Sequence, residues 1–251
     1  DVGNLVNFVN GWGMGNTGVG YGYSSGGDSP TSDAINKYSS TSDGDSVDIG
    51  NLTVARGGLG GNGESSSMYG YVAGGTSSDV IDKFSFTSDG DSAGVGVLLV
   101  DRAYLAGFSS ATEGYVSGGA NANIEKFSFS SDGNSADTGA DITSDGTHLN
   151  HMASHSSTTH GYTSGGRAET GTDYINKFAF DSAVNATDIG NLTVGRRSGG
   201  GTSSTASGYT ASGYTGSNTD VIDKFIFSSD GDSTDVEDVT VARRGCTSSQ
   251  Y

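Results

Sequence analysis

Short runs in which apolar and polar residues alternate recur along the whole chain, separated by clusters of Gly, Asp, Ser and Thr. Alternation of period two predicts half-buried β-strands, and the clusters between them predict turns. No stretch carries a 3.6-residue apolar period, so essentially no helix is expected. The runs are near-copies of one another. A Gly-Tyr followed by a small-residue Gly pair appears as Gly22-Tyr23-Ser24-Ser25-Gly26-Gly27, Gly70-Tyr71-Val72-Ala73-Gly74-Gly75, Gly114-Tyr115-Val116-Ser117-Gly118-Gly119 and Gly161-Tyr162-Thr163-Ser164-Gly165-Gly166. An altered copy stands at Gly208-Tyr209-Thr210-Ala211-Ser212-Gly213, and the five tyrosines are 48, 44, 47 and 47 residues apart.

Three further signals follow each copy in fixed order. The first is Ile35-Asn36-Lys37-Tyr38, Ile81-Asp82-Lys83-Phe84, Ile124-Glu125-Lys126-Phe127, Ile175-Asn176-Lys177-Phe178 and Ile222-Asp223-Lys224-Phe225. The second is an Asp-Gly turn at Asp43-Gly44, Asp89-Gly90, Asp132-Gly133 and Asp230-Gly231, replaced in the fourth copy by Ala183-Val184-Asn185. The third is an apolar strand ending in Arg56, Arg102, Arg196 or Arg243. Asp-Gly between strands is a hairpin signal, because Gly accepts the positive φ of the turn. The Gly pair ends a strand where backbone must approach closely.

Each unit is thus about four short strands in roughly 47 residues, and such a unit cannot bury both faces alone. Radial stacking of copies solves this, so the chain is expected to be all-β: one domain over residues 1–251, a five-bladed β-propeller of four-stranded blades. The stub Asp1-Val2-Gly3-Asn4-Leu5 copies Asp48-Ile49-Gly50-Asn51-Leu52. It reads as an outer strand that latches a closed five-blade ring; the alternative is a piece of a larger ring, cut from a longer chain.

Composition sharpens this picture. Of 251 residues 43 are Gly and only 32 % are apolar, a profile that by itself suggests disorder. The 12 Tyr and 10 Phe recur at regular intervals, and regular aromatics imply a repeated core contact. The net charge of −17 argues against nucleic acid as a partner. No apolar run reaches the length of a membrane span, and the single Cys246 excludes an intrachain disulfide.

The order Gly pair, apolar-acid-x-aromatic, turn, apolar strand ending in Arg resembles the kelch repeat over nearly the whole chain. The resemblance matches Asp82 to the kelch glutamate, Phe84 to its tyrosine and Arg56 to its arginine. It implies that the repeated arginines Arg56, Arg102, Arg196 and Arg243 pair with acids such as Asp82 and Asp223 to hold the blades. The usual tryptophan after the turn is missing. The tandem wording also resembles repeat proteins of marine bacteriophages found in tail fibres and other virion parts. That implies an extracellular or virion setting, with other virion proteins or a host-surface glycan as partners, a homo-oligomer within a larger assembly being compatible with it.

Candidate chemistry lies where the repeats differ. Loops after the Gly pair vary most and sit on one rim of a rigid scaffold, where recognition usually resides. Asp28, Ser78, Asn121, Arg167, Glu169 and Asn218 are the binding candidates there, with Trp12 as a sugar-stacking platform or a core plug. His148, His151 and His155 form a weak metal candidate, since their spacing suits a helix but falls in strand and loop. The Asp-Gly-Asp turns lack the further ligands of a calcium loop, which leaves opportunistic Ca²⁺ and no dedicated cofactor. No nucleophile elbow, phosphate loop or distinctive acid pair is present, so the expected function is a non-enzymatic virion adhesion module. A cellular kelch-type interaction adaptor is the alternative.

Overall fold

The computed structural model describes Asn4 and residues 11–119, 121–143, 150–166 and 171–246. Among the described residues there is no helix. Strands β1 (Met14–Gly18), β2 (Tyr21–Ser25), β3 (Ala34–Ser39) and β4 (Val47–Asn51) form blade 1, and β5 (Gly61–Asn62) runs parallel beside β1. Blade 2 holds β6 (Glu64–Ser65), β7 (Tyr69–Ala73), β8 (Val80–Ser85) and β9 (Ala93–Val97). Blade 3 holds β10 (Leu105–Ser109), β11 (Glu113–Gly118), β12 (Asn123–Ser128) and β13 (Ala136–Asp141). Blade 4 holds β14 (Ala153–Ser156), β15 (His160–Ser164), β16 (Thr172–Ala179) and β17 (Thr187–Arg196). Blade 5 holds β18 (Gly200–Ser203), β19 (Ser207–Tyr214), β20 (Asn218–Ile226) and β21 (Thr234–Arg243).

Within each blade the four strands are antiparallel neighbours in chain order, so the fold is a five-bladed β-propeller. The Gly pair does what its chemistry allows. Gly74 has φ +70°, and a Cβ there would stand 2.8 Å from the Arg102 carbonyl of the next strand end. The altered fifth copy keeps the left-handed bend with Ser212 at φ +63°.

Blades adhere through four contacts that recur from seam to seam. The Gly-Tyr tyrosine of one blade stacks on the second aromatic of the next: Tyr23 on Phe86 at 4.8 Å, Tyr71 on Phe129 at 4.9 Å, Tyr115 on Phe180 at 4.5 Å and Tyr162 on Phe227 at 4.6 Å. The arginines are buried: Arg56 meets Asp82 at 2.9 Å, Arg102 meets Glu125 at 2.5 Å and Arg196 meets Asp223 at 3.0 Å. Lysines reach the Asp-Gly turn of the next blade, with Lys37–Asp89, Lys83–Asp132 and Lys177–Asp230 all at 2.8 Å. Lys126 turns instead to Glu113 of its own blade, because the next turn is Ala183-Val184-Asn185. Lastly, an outer-strand amide donates to the next turn, as Asn51 N does to Asp91 Oδ1 at 2.9 Å and Asn191 N to Asp232 Oδ1 at 3.0 Å.

The seam from blade 5 to blade 1 departs from this pattern, and with it one expected ion pair. Arg243 is exposed; its Nε donates to the Val241 carbonyl and it meets no acid among the described residues. Blade 1 carries Asn36 where the acid would stand, and another residue, Gly245, lies between the two blades. Among the described residues this seam thus lacks the Arg–acid pair that joins the blades at three of the other seams.

Candidate functional site

Each blade is entered through one residue in left-handed backbone. Trp12, Gly58, Tyr104, His151, Ser198 and Gly245 have φ between +55° and +66° and stand one repeat apart. Their neighbours in space are linked by backbone hydrogen bonds that run around the axis. Leu59 N donates to the Trp12 carbonyl at 3.0 Å, and Tyr104 N to that of Gly58. His151 N donates to Tyr104 at 3.1 Å, and Ser198 N to His151 at 2.8 Å. Gly245 N donates to Ser198 at 2.8 Å, and Trp12 N closes the belt on Gly245 at 3.4 Å.

The belt gathers three aromatic side chains from three blades at one end of the axis. Trp12 meets Tyr104 edge-on with centroids 6.0 Å apart and His151 at 5.5 Å, while the Tyr104 and His151 rings lie 4.2 Å apart. With Met152, Ser198 and Cys246 they line a small mouth. All three rings are half-buried. Left-handed backbone costs a residue with a Cβ about 1–2 kcal/mol, so aromatic residues there are held by their surroundings.

Charge is sorted across this mouth. Burial, reinforced by Arg197, lowers the His151 pKa to about 4, so the ring is neutral at pH 7. Burial and then Asp28 raise that of Tyr104. Arg197 and Arg244 both lie over the Tyr214 ring, at 5.0 and 4.5 Å. Neither arginine pairs with an acid among the described residues, which makes this a cationic spot on a strongly acidic protein.

Of the rim candidates chosen from sequence, Trp12 lines the mouth. Asp28 borders it, with its N–H on the Gly11 carbonyl and its carboxylate over Gly57, where a Cβ would stand 1.7 Å from Oδ1. Ser78 Oγ accepts from Val80 N and Asn121 Oδ1 from Asn123 N, so both side chains fasten their own loops. Asn218 is exposed at the foot of the β19–β20 hairpin. Arg167, Glu169 and His148 lie outside the described residues. His155 does not join His151: it is fully buried, with Nδ1 on the Thr202 carbonyl at 3.1 Å and Nε2 on Ser164 Oγ at 2.9 Å. Among the described residues no three metal-binding side chains come together. The turn acids Asp89, Asp132 and Asp230 are engaged by lysines.

Sequence reasoning missed Tyr104, Arg197, Arg244 and Tyr214. A signal existed for the first: Gly58, Tyr104, Ser198 and Gly245 each stand two residues after a repeated arginine.

Blade architecture and seam chemistry make this a five-bladed propeller of a kind consistent with kelch repeats. No protein-family model matches the chain, and no similar curated protein is found.

Proposed function

We propose that the protein is a non-enzymatic recognition module whose axial rim binds an acidic surface glycan, as the adhesive part of a virion. The observation that carries this is the convergence of Trp12, Tyr104 and His151 beside Arg197 and Arg244. Aromatic walls take the apolar faces of a sugar, and a few placed polar groups fix its orientation. A guanidinium that has no internal acid is free to take a carboxylate or sulfate in two parallel hydrogen bonds. The remaining surface carries the negative charge, so an anionic ligand is directed to this rim. The virion setting rests on the tandem wording of the repeats.

Titration against a panel of neutral and acidic oligosaccharides tests the reading. Acidic members are expected to bind, with affinity falling as salt rises. Trp12→Ala and the pair Arg197→Ala/Arg244→Ala should each weaken binding at least tenfold. A panel with no binder, together with a protein partner held at the same rim, would turn the assignment to an interaction adaptor. Cleavage of any panel member would remove the word non-enzymatic.

A further inference from the structure

The belt around the axis has six members, whereas the blades number five. Trp12, Gly58, Tyr104, His151 and Ser198 each lead into a blade; Gly245 occupies the sixth position, between Ser198 and Trp12. The outer edge points the same way from the other side. Asp45 and Ser46 of blade 1 hold Asn4, with Asn4 N on Asp45 Oδ1 at 2.8 Å and Ser46 N on the Asn4 carbonyl at 2.9 Å. Those are the bonds that Asn51 makes with Asp91 and Ser92, and Asn191 with Asp232 and Ser233. Asn4 thus fills the outer-strand position of a blade preceding blade 1, and among the described residues the Asp238 amide of blade 5 meets its neighbour Glu237 rather than a turn aspartate of another blade.

Among the described residues, the other groups of blade 5 that elsewhere grip the next blade are left without it. Tyr209 is half-buried and stacks on no aromatic ring among the described residues, where its four counterparts are 1–2 % exposed. Lys224 forms no ion pair among the described residues and lies over Tyr209 at 5.7 Å. Arg243 is exposed. Val236 is 45 % exposed, against 9 % for Ile49 at the same place in blade 1. On the far side Asp43, the counterpart of the lysine-bound Asp89, is exposed and has no ion pair among the described residues.

We propose that blade 5 and blade 1 bound the seat of a sixth blade, built by the polypeptide that leads on from Gly245. Its chemistry follows from what the seat lacks. It brings an acid to Arg243, a turn aspartate to Lys224, two alternate aromatics to Tyr209 and a lysine to Asp43. Asn4 already holds the place of its outermost strand, so three further strands complete it. A partner of unrelated sequence would not meet all four demands at one repeat's spacing.

The test extends the full chain after Tyr251 with a copy of residues 205–233. A control copy carries alanine at the positions of Asp223, Phe225 and Phe227. The seat predicts a rise in melting temperature of about 5 °C or more for the first extension and none for the control. It also predicts at least tenfold slower amide exchange along β21, abolished by Arg243→Ala with Tyr209→Ala. Equal effects of both copies, or an extension that proteases remove with no change in melting, would overturn the proposal. So would sedimentation showing that the unextended chain dimerises with β21 protected, since the occupant would then be a second copy.

Discussion

Arg56 and Asp82 stand on consecutive blades and meet at 2.9 Å, with side chains 1 % and 0 % exposed. The guanidinium also donates to the Val72 carbonyl at 2.8 Å, and Asp82 accepts from Thr53 N and Oγ1. Burial lowers the arginine's pKa while Asp82 raises it again, which shows how much desolvation the pair must offset.

Removing one partner leaves a buried charge alone, at a cost of about 3–5 kcal/mol. Asp82→Asn should therefore destabilise strongly, and Arg56→Leu should restore much of the loss in the double variant. The natural chain points the same way, since Asn176 replaces the acid where the preceding repeat has no arginine. Arg243→Ala, exposed and without an acid, should change stability by no more than about 0.5 kcal/mol. Urea unfolding of the three variants measures all of this.

Glu64 faces the core opposite Tyr71, the register position held by Asn16 in blade 1, Phe108 in blade 3 and His155 in blade 4. It is fully buried and its carboxyl oxygens have no partner among the described residues. Burial holds its pKa well above the usual carboxylate value. The folded chain thus keeps a proton that the unfolded chain releases above about pH 4.5, and stability falls as pH rises through that value. Glu64→Gln, neutral at every pH, should stabilise by about 1 kcal/mol at pH 8 and by nothing at pH 4. A gain that is the same at both pH values would sink the argument.

His155 has the opposite linkage. Burial lowers its pKa to about 4, against 6.5 for a free imidazole, with the Thr202 carbonyl opposing part of the shift. Unfolded chains take up the proton below pH 6.5 while the fold refuses it until about 4, so stability present above 6.5 is lost as pH falls through this window. His151 adds to the same loss. His155→Phe, which copies Phe108, should cost about 1 kcal/mol at pH 7.5 through its lost hydrogen bonds. It should also flatten the acid limb, so that the two stability curves converge near pH 5. Parallel curves would show that His155 does not titrate as described.

Strand number and blade boundaries were legible in the chain because each depends on residues at fixed short spacing, whereas the pairing of the repeated arginines with acids was expected from the kelch resemblance alone. Lys37 and its partner Asp89 illustrate the limit. Either could be recognised as part of a repeat, but their contact spans two blades and needs the rotation between them. The candidate site was half legible. Trp12 stood out as a unique residue, whereas Tyr104 and His151 belong with it only because their backbone falls on one belt.

The sequence by itself determined the repeat, the all-β character and the residues that bind blade to blade. Period-two alternation and turn chemistry act within a few residues of each other, so they can be read along a line. Only the tertiary structure decided the geometry around the axis: which aromatic rings meet, which arginines remain unpaired, and that the belt has six places for five blades. The relation between neighbouring blades depends on side chains from both, as where the Tyr23 ring stacks on Phe86. No single repeat carries that relation.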